Sequence, residues 1–215
     1  LAEYLNKNFD KLDKVKAKEM LELLYATSKE ELNLLDYLVD WARIKYATEP
    51  FAPTKIELYN YVKKVFEALN ENAVPNDIHL HNDIEENISV FADGDMLLFI
   101  LRNLISNAIK YSDKGGKVLV AAKRKENQII IEIKDNGIGI TKEIQNKLFT
   151  PQITTISDTW KKDNESGTGL LLAKGFVEIN GGKIWVESIE GEGSSFYFSL
   201  PIDKSLDKTS GAENI

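Results

Sequence analysis

Three segments of the sequence hold residue types that could do chemistry together: Asn103-Leu-Ile-Ser-Asn107-Ala-Ile-Lys110-Tyr111, Asp135-Asn-Gly137-Ile-Gly139 and Gly167-Thr168-Gly169-Leu170. On a helix, Asn103 and Asn107 lie four residues apart on one face, with Lys110 one turn further along it. Two amides and an ammonium at that spacing suit a hydrated Mg²⁺ and the phosphates it carries. Buried asparagines that cap helices or hydrogen-bond between them give the same pattern. Asp135 ends a run that reads as a strand, and Gly137 and Gly139 let the backbone turn tightly beside a ligand. A carboxylate at a strand end can accept a hydrogen bond from an exocyclic amine, although D-x-G is also ordinary turn chemistry. Gly167 and Gly169 precede a helix whose first N–H groups can meet an anion, and they equally fit a plain loop-to-helix turn. Each of these last two segments is a weak signal when taken singly.

The surrounding pattern says which elements must position them. Residues 1–47 contain no glycine or proline. From Leu21 the series 21, 24, 28, 31, 35, 38, 42 steps by alternating threes and fours, with Ser28 and Glu31 as its polar members, which is a bundle or coiled-coil stripe. The charged stretch Asp10–Lys18 interrupts the pattern. This predicts the tail of one helix, a connection, and a second helix ending near Lys45, a hairpin too small to bury a core alone and expected to dimerise. Pro50 and Pro53 mark a boundary. Thr54 with Glu57 reads as a capping box for a helix bearing Ile56, Tyr59, Val62, Phe66 and Leu69 on one face. IHLHNDI and ISVFA read as strands, Asp95–Tyr111 as a largely buried helix, and KVLVAAKRK with QIIIEIKD as a hairpin around Glu126-Asn127. Gly169–Asn180 reads as a helix, and KIWVES with SSFYFSL as closing strands. Helices mixed with antiparallel hairpins predict an α+β fold: a two-layer α/β sandwich with helices on one face of a mixed β-sheet, preceded by an α-helical hairpin. The expected divisions are 1–48 for the hairpin, 49–203 for the sandwich and 204–215 for a polar, disordered tail.

Composition removes other classes. The chain has 215 residues, a net charge of −7 and no cysteine. Disulfides, Cys-ligated metals and thiol nucleophiles are therefore absent. The acidic balance argues against a nucleic-acid partner held by phosphate neutralisation. No apolar run approaches the roughly 20 residues of a membrane span. The chain opens without methionine inside a helical pattern, which predicts a piece of something longer.

Together, in this order, the Asn helix, the Asp-Gly-Gly turn, a polar span of about 26 residues and the Gly-rich helix start resemble the ATP-binding domain of sensor histidine kinases, within the Bergerat-fold ATPase superfamily. The resemblance covers nearly all of residues 54–201. It includes KLFTPQ, similar to the family's phenylalanine box through Phe149 and Pro151, and GGKIWVES with GEGSSFYFSLP, similar to its closing strands. Residues 1–47 resemble the latter part of the dimerisation and phosphoacceptor domain.

The resemblance implies ATP with Mg²⁺ as cofactor, adenine on Asp135 beside Gly137 and Gly139, and Mg²⁺ on Asn107 with help from Asn103. It places phosphates near Lys110 and the Gly167, Thr168, Gly169, Leu170 helix start, and Tyr111 beside the nucleoside. It implies a homodimer through residues 1–47, a response-regulator receiver domain as partner, and a cytoplasmic location, including that of the cytoplasmic part of a membrane-anchored sensor. The ATPase branches carry a glutamate where this chain has Asn103, and an amide cannot take a proton from water near neutral pH, so a transferase is expected. The family's acceptor is a histidine on the first helix, yet the histidines here are His79 and His81, on a predicted strand. Surface or packing roles are expected for both, and the acceptor is expected upstream of Leu1. The Gly-rich start also lacks one family glycine: in one register Glu165 takes the first position, in the other Leu171 takes the third. That departure motivates an alternative, a degenerate kinase acting as a dimerising scaffold. Thr141–Ser166, with Lys161 and Lys162, is the expected lid.

Overall fold

The computed structural model describes residues 5, 13–25, 28, 51–150 and 168–202. The chain divides into an N-terminal unit and a larger unit that holds residues 51–150 and 168–202. In the N-terminal unit, residues 14–25 form helix α1. Asp13 Oδ1 accepts from the Lys16 N–H at 2.9 Å, the geometry of an N-cap. This corrects the expected connection over the described part of Asp10–Lys18, because the lysines at 14, 16 and 18 are exposed on a helix rather than interrupting one; residues 10–12 lie outside the described residues. Leu21 and Leu23 are also exposed. The stripe positions at 31, 35, 38 and 42, the boundary prolines' immediate N-terminal side and the tail beyond 202 lie outside the described residues.

The larger unit runs β1 (Thr54–Glu57), α2 (Leu58–Ala73), a 3-10 turn (Val74–Asn76), β2 (His79–Asp83), β3 (Ser89–Ala92), α3 (Gly94–Tyr111), β4 (Lys117–Lys125), β5 (Gln128–Asp135), α4 (Lys142–Gln145), α5 (Thr168–Ile179), β6 (Ile184–Ile189) and β7 (Gly193–Pro201). Five strands form one sheet in the order β2-β4-β5-β7-β6, and β1 pairs with β3 in a separate ribbon. β2 is parallel to β4 and every other pair is antiparallel, so the sheet is mixed, as the sequence predicts.

The capping-box reading of Thr54 and Glu57 is overturned. Both residues lie in β1, whose Ile56 is buried opposite Val90, and α2 starts afterwards with no side-chain cap. Burial of a β-branched residue in a strand pair outweighs the local helix-start signal. The buried face of α2 is accordingly Leu58, Val62, Val65, Leu69 and Ala73 rather than one that begins at Ile56.

Alternation explains the sheet. Ile129, Ile131 and Ile133 of β5 are buried, registered on Leu200, Phe198 and Phe196 of β7. The buried residues of α3, among them Leu97, Ile100, Leu101, Leu104 and Ile105, supply the covering layer, with Phe99 edge-on to Phe176 of α5 at 5.1 Å. On the opposite face, Trp185 stacks on Tyr197 at 5.3 Å, and the Tyr197 hydroxyl donates to Glu132 at 2.9 Å.

One buried amide ties α5 to the start of α3. Asn180 Oδ1 accepts from the Asp93 N–H at 2.8 Å, and Asn180 Nδ2 donates to the Phe176 carbonyl at 2.8 Å. Asn180→Ala leaves the Asp93 N–H without its acceptor and removes one of the two bonds to the Phe176 carbonyl, which keeps the main-chain N–H of residue 180, a loss of about 2 kcal/mol. Thermal unfolding should then show a Tm lower by about 4–8 °C. An unchanged Tm would mean that these bonds hold nothing.

Candidate functional site

The site begins at the N-cap of α3. Asp93 Oδ1 accepts from the N–H groups of Asp95 and Met96, both at 3.1 Å, which satisfies two orphan donors. The apolar face of α3 then turns inward, and the remaining positions Asn103, Asn107, Lys110 and Tyr111 fall on its half-buried rim. Asn107 Nδ2 faces Asn103 Oδ1 at 3.5 Å. Lys110 Nζ sits 5.4 Å from the centroid of the Tyr111 ring. The spacing expected from sequence is therefore realised: two adjacent amides on one helix face, with the ammonium in the last turn.

Asp135 ends β5 and is buried. Its Oδ1 accepts from the Gly137 N–H at 2.9 Å and the Ser194 N–H at 3.2 Å, while Oδ2 accepts nothing among the described residues. Burial pushes this carboxyl above the usual carboxylate range, and the two N–H donors pull against that rise. The carboxylate is thus held by one oxygen and presents the other.

Main-chain contacts bring the segments together. Ile138 N–H donates to the Tyr111 carbonyl at 3.2 Å, so the end of α3 is bonded to the turn after Asp135. Gly137 lies so close that a Cβ there would stand 2.0 Å from the same Tyr111 oxygen. Gly169, in the first turn of α5, is pressed against α3: a Cβ would stand 2.1 Å from Asn103 Nδ2. Gly137 is required by close approach to main chain and Gly139 by its φ of 67°, while a side chain at 169 would have to displace the Asn103 amide. Leu170 is buried beside Gly169, Thr168 begins α5, and Gly167 lies outside the described residues. Asn103 thus meets the Gly-rich helix start, and Tyr111 meets the Asp135 turn.

His79 and His81 stand exposed on β2, opposite Lys117 and Leu119. Among the described residues there is no group of three or more His, Asp or Glu side chains placed to hold a metal ion. Sequence reading missed three residues. Ser194 holds Asp135, Ser188 is buried behind it, and Gln145 sits at the end of the short helix α4. The span Thr141–Ser166, read as the lid, starts with an N-cap and a helical turn, since Thr141 Oγ1 accepts from the Ile144 N–H at 3.4 Å, and its residues 151–166 lie outside the described residues. Only the serines had a visible signal, because they lie in the closing-strand motifs.

A family model described as histidine kinase-, DNA gyrase B- and HSP90-like ATPase matches residues 92–204. The adaptive-response sensory kinase SasA of a Prochlorococcus marinus strain is 35% identical over 163 residues, covering 73% of this chain and 42% of SasA. The chain therefore spans less than half the length of that relative. The crystallised catalytic domain of histidine kinase ThkA is 26% identical with a TM-score of 0.61, covering 70% of this chain and 95% of that domain. Histidine kinase ThkA in complex with response regulator protein TrrA has the same fold at a TM-score of 0.66 and 20% identity, covering 94% of this chain and 56% of that one. With that family model spanning more than half of its length, the chain belongs to the histidine kinase-, DNA gyrase B- and HSP90-like ATPase family and carries the catalytic domain type of its sensor histidine kinases.

Proposed function

We propose that this chain is the catalytic part of a dimeric sensor histidine kinase, which binds ATP with Mg²⁺ and passes the γ-phosphate to a histidine for relay to a response regulator. The observation that carries the reading is the Asp135 carboxylate, buried, pinned through Oδ1 by two main-chain donors and open at Oδ2, in a turn bonded to the end of the asparagine helix. An adenine amine fits that open acceptor. Asn107 and Asn103 offer neutral oxygens to Mg²⁺, and the N–H groups at the start of α5, packed against Asn103, face the same rim. Bound Mg²⁺ supplies charge neutralisation on the phosphates. The protein's own contribution is orientation, with no base at position 103 to activate water. His79 and His81 are not the acceptor, because they ride an edge strand of the nucleotide unit and no carboxylate adjoins either. The dimer contact belongs with residues 1–47, which hold no histidine, so the acceptor belongs to a helix that pairs with them rather than to that stretch itself. None of the described helices is long and apolar enough to cross a membrane, which fits a sensor's cytoplasmic part.

Calorimetric titration with ATP, with and without Mg²⁺, tests this reading together with an acid-labile phosphate assay on the same chain. Mg²⁺-dependent ATP binding without acid-labile label is expected. No binding at millimolar nucleotide would leave the scaffold reading, and label on His79 or His81 that vanishes on mutation would move the chemistry to β2.

A further inference from the structure

We propose that Gln145 and Ser188 are positioning residues that tie the turn after Gly139 to the Asp135 carboxylate, so that adenine is discriminated only while that turn is seated. The proposal rests on the ATP-binding reading above and goes beyond it by adding two residues to base recognition.

Helix α4 is four residues long and none of its own side chains is buried; the buried Leu148, and Phe149 edge-on to Phe196, anchor the chain after it, and Gln145 makes the polar ties back to β6. Its Nε2 donates to the Ile140 carbonyl at 2.6 Å and to the Ser188 carbonyl at 2.9 Å, while its Oε1 accepts from Lys142 Nζ at 3.1 Å. Turning the amide over would set its oxygen against two carbonyl oxygens, so the orientation is fixed by its partners.

The second link is Ser188, buried in β6. Its hydroxyl accepts from the Ile140 N–H at 2.8 Å and donates to the Gly193 carbonyl at 2.8 Å. With that single proton committed, the 3.0 Å contact to Ser194 Oγ makes Ser194 the donor. Ser194 is also the residue whose N–H holds Asp135 Oδ1. A continuous path of hydrogen bonds therefore runs from Gln145 through Ser188 and Ser194 to Asp135. Gly191 N–H closes the ring by donating to the Ile138 carbonyl at 2.8 Å.

The path matters because Oδ1 and Oδ2 are rigidly related. If the β6–β7 hairpin shifts, the Ser194 N–H leaves Oδ1, the carboxylate turns, and Oδ2 no longer meets an amine at a fixed place. A cavity of about 230 Å³ lies against Gln145, between α4 and the end of β6, and gives the side chain room to leave its seat or to be replaced by a larger one.

The test is base discrimination, measured as the ratio of GTP to ATP dissociation constants. Guanine carries a carbonyl where adenine carries its amine, so an ordered Oδ2 rejects it. In Gln145→Ala the ratio should fall about five-fold, the scale of one net hydrogen bond, through weaker ATP binding with GTP little changed. Gln145→Glu, the same shape with an ionised acceptor facing two carbonyls, should fall at least as far. Gln145→Arg keeps N–H donors at that place, fits the cavity, and should restore the ratio to within about two-fold. An unaltered ratio in Gln145→Ala, or equal weakening of both nucleotides, would overturn the proposal. A native chain that binds no ATP refutes the function proposed above, whereas a native chain that binds ATP beside an unchanged Gln145→Ala refutes this inference alone.

Discussion

Asn107→Asp should abolish useful nucleotide binding, raising the ATP dissociation constant roughly a hundred-fold. A unit charge about 4 Å from another costs on the order of 4 kcal/mol at an effective dielectric near 20, and attraction to Mg²⁺ returns part of that. The local geometry adds to the penalty. Asn107 Nδ2 faces Asn103 Oδ1 at 3.5 Å, and an aspartate sets oxygen against oxygen there. Asn103 cannot turn away without disturbing Gly169, which touches its Nδ2 side. Calorimetry with and without EDTA reads the effect, and native affinity with intact Mg²⁺ dependence would remove α3 from the site.

The second large effect is at Asp135. In Asp135→Asn the amide oxygen can still accept from Gly137 and Ser194, while its NH₂ replaces Oδ2 and meets the adenine amine donor to donor. ATP affinity should fall about ten-fold or more. Stability should move the other way. Burial raises the folded-state pKa of Asp135, so the folded chain holds this proton more tightly than the unfolded chain does. Ionisation therefore costs stability as pH rises from the unfolded value through the folded one. The asparagine variant should match or exceed the native Tm at neutral pH, and its advantage should shrink as pH falls through that window. Thermal melts across pH decide this, and a variant less stable than the native chain at neutral pH would contradict it.

How much of this was readable beforehand depended on whether the signal was local. The helix of Asn103 and Asn107 was legible because Leu97, Ile100, Leu101, Leu104 and Ile105 recur on a 3.6-residue period, which fixes the face left for the asparagines. The β4–β5 hairpin was legible for the matching reason at period two. Thr54 and Glu57 misled because a capping box is a local pattern, whereas the pairing of Ile56 with Val90 depends on a residue 34 positions away, from 90 − 56. Gln145 was illegible, because its Nε2 partners are main-chain carbonyls, which every residue carries, whereas Ser188 was visible only as a member of a closing-strand motif and not by its partners. The parallel pairing of β2 with β4 was hidden likewise, since alternation states that a strand exists and not which neighbour it joins.

The two close-approach glycines have a consequence for how such a site changes over time. Gly137 against the Tyr111 carbonyl is a seam of main chain with no room for a side chain, whereas Gly169 meets the amide side chain of Asn103. Substitution at a seam breaks the frame, while substitution between seams leaves it standing. Position 103 stands at the Gly169 contact itself, so a longer side chain such as glutamate there must displace its neighbours, and only an exchange of like size leaves that contact standing. The main-chain seam at Gly137 therefore constrains which sequences can inherit this frame more tightly than the side-chain contact at Gly169 does.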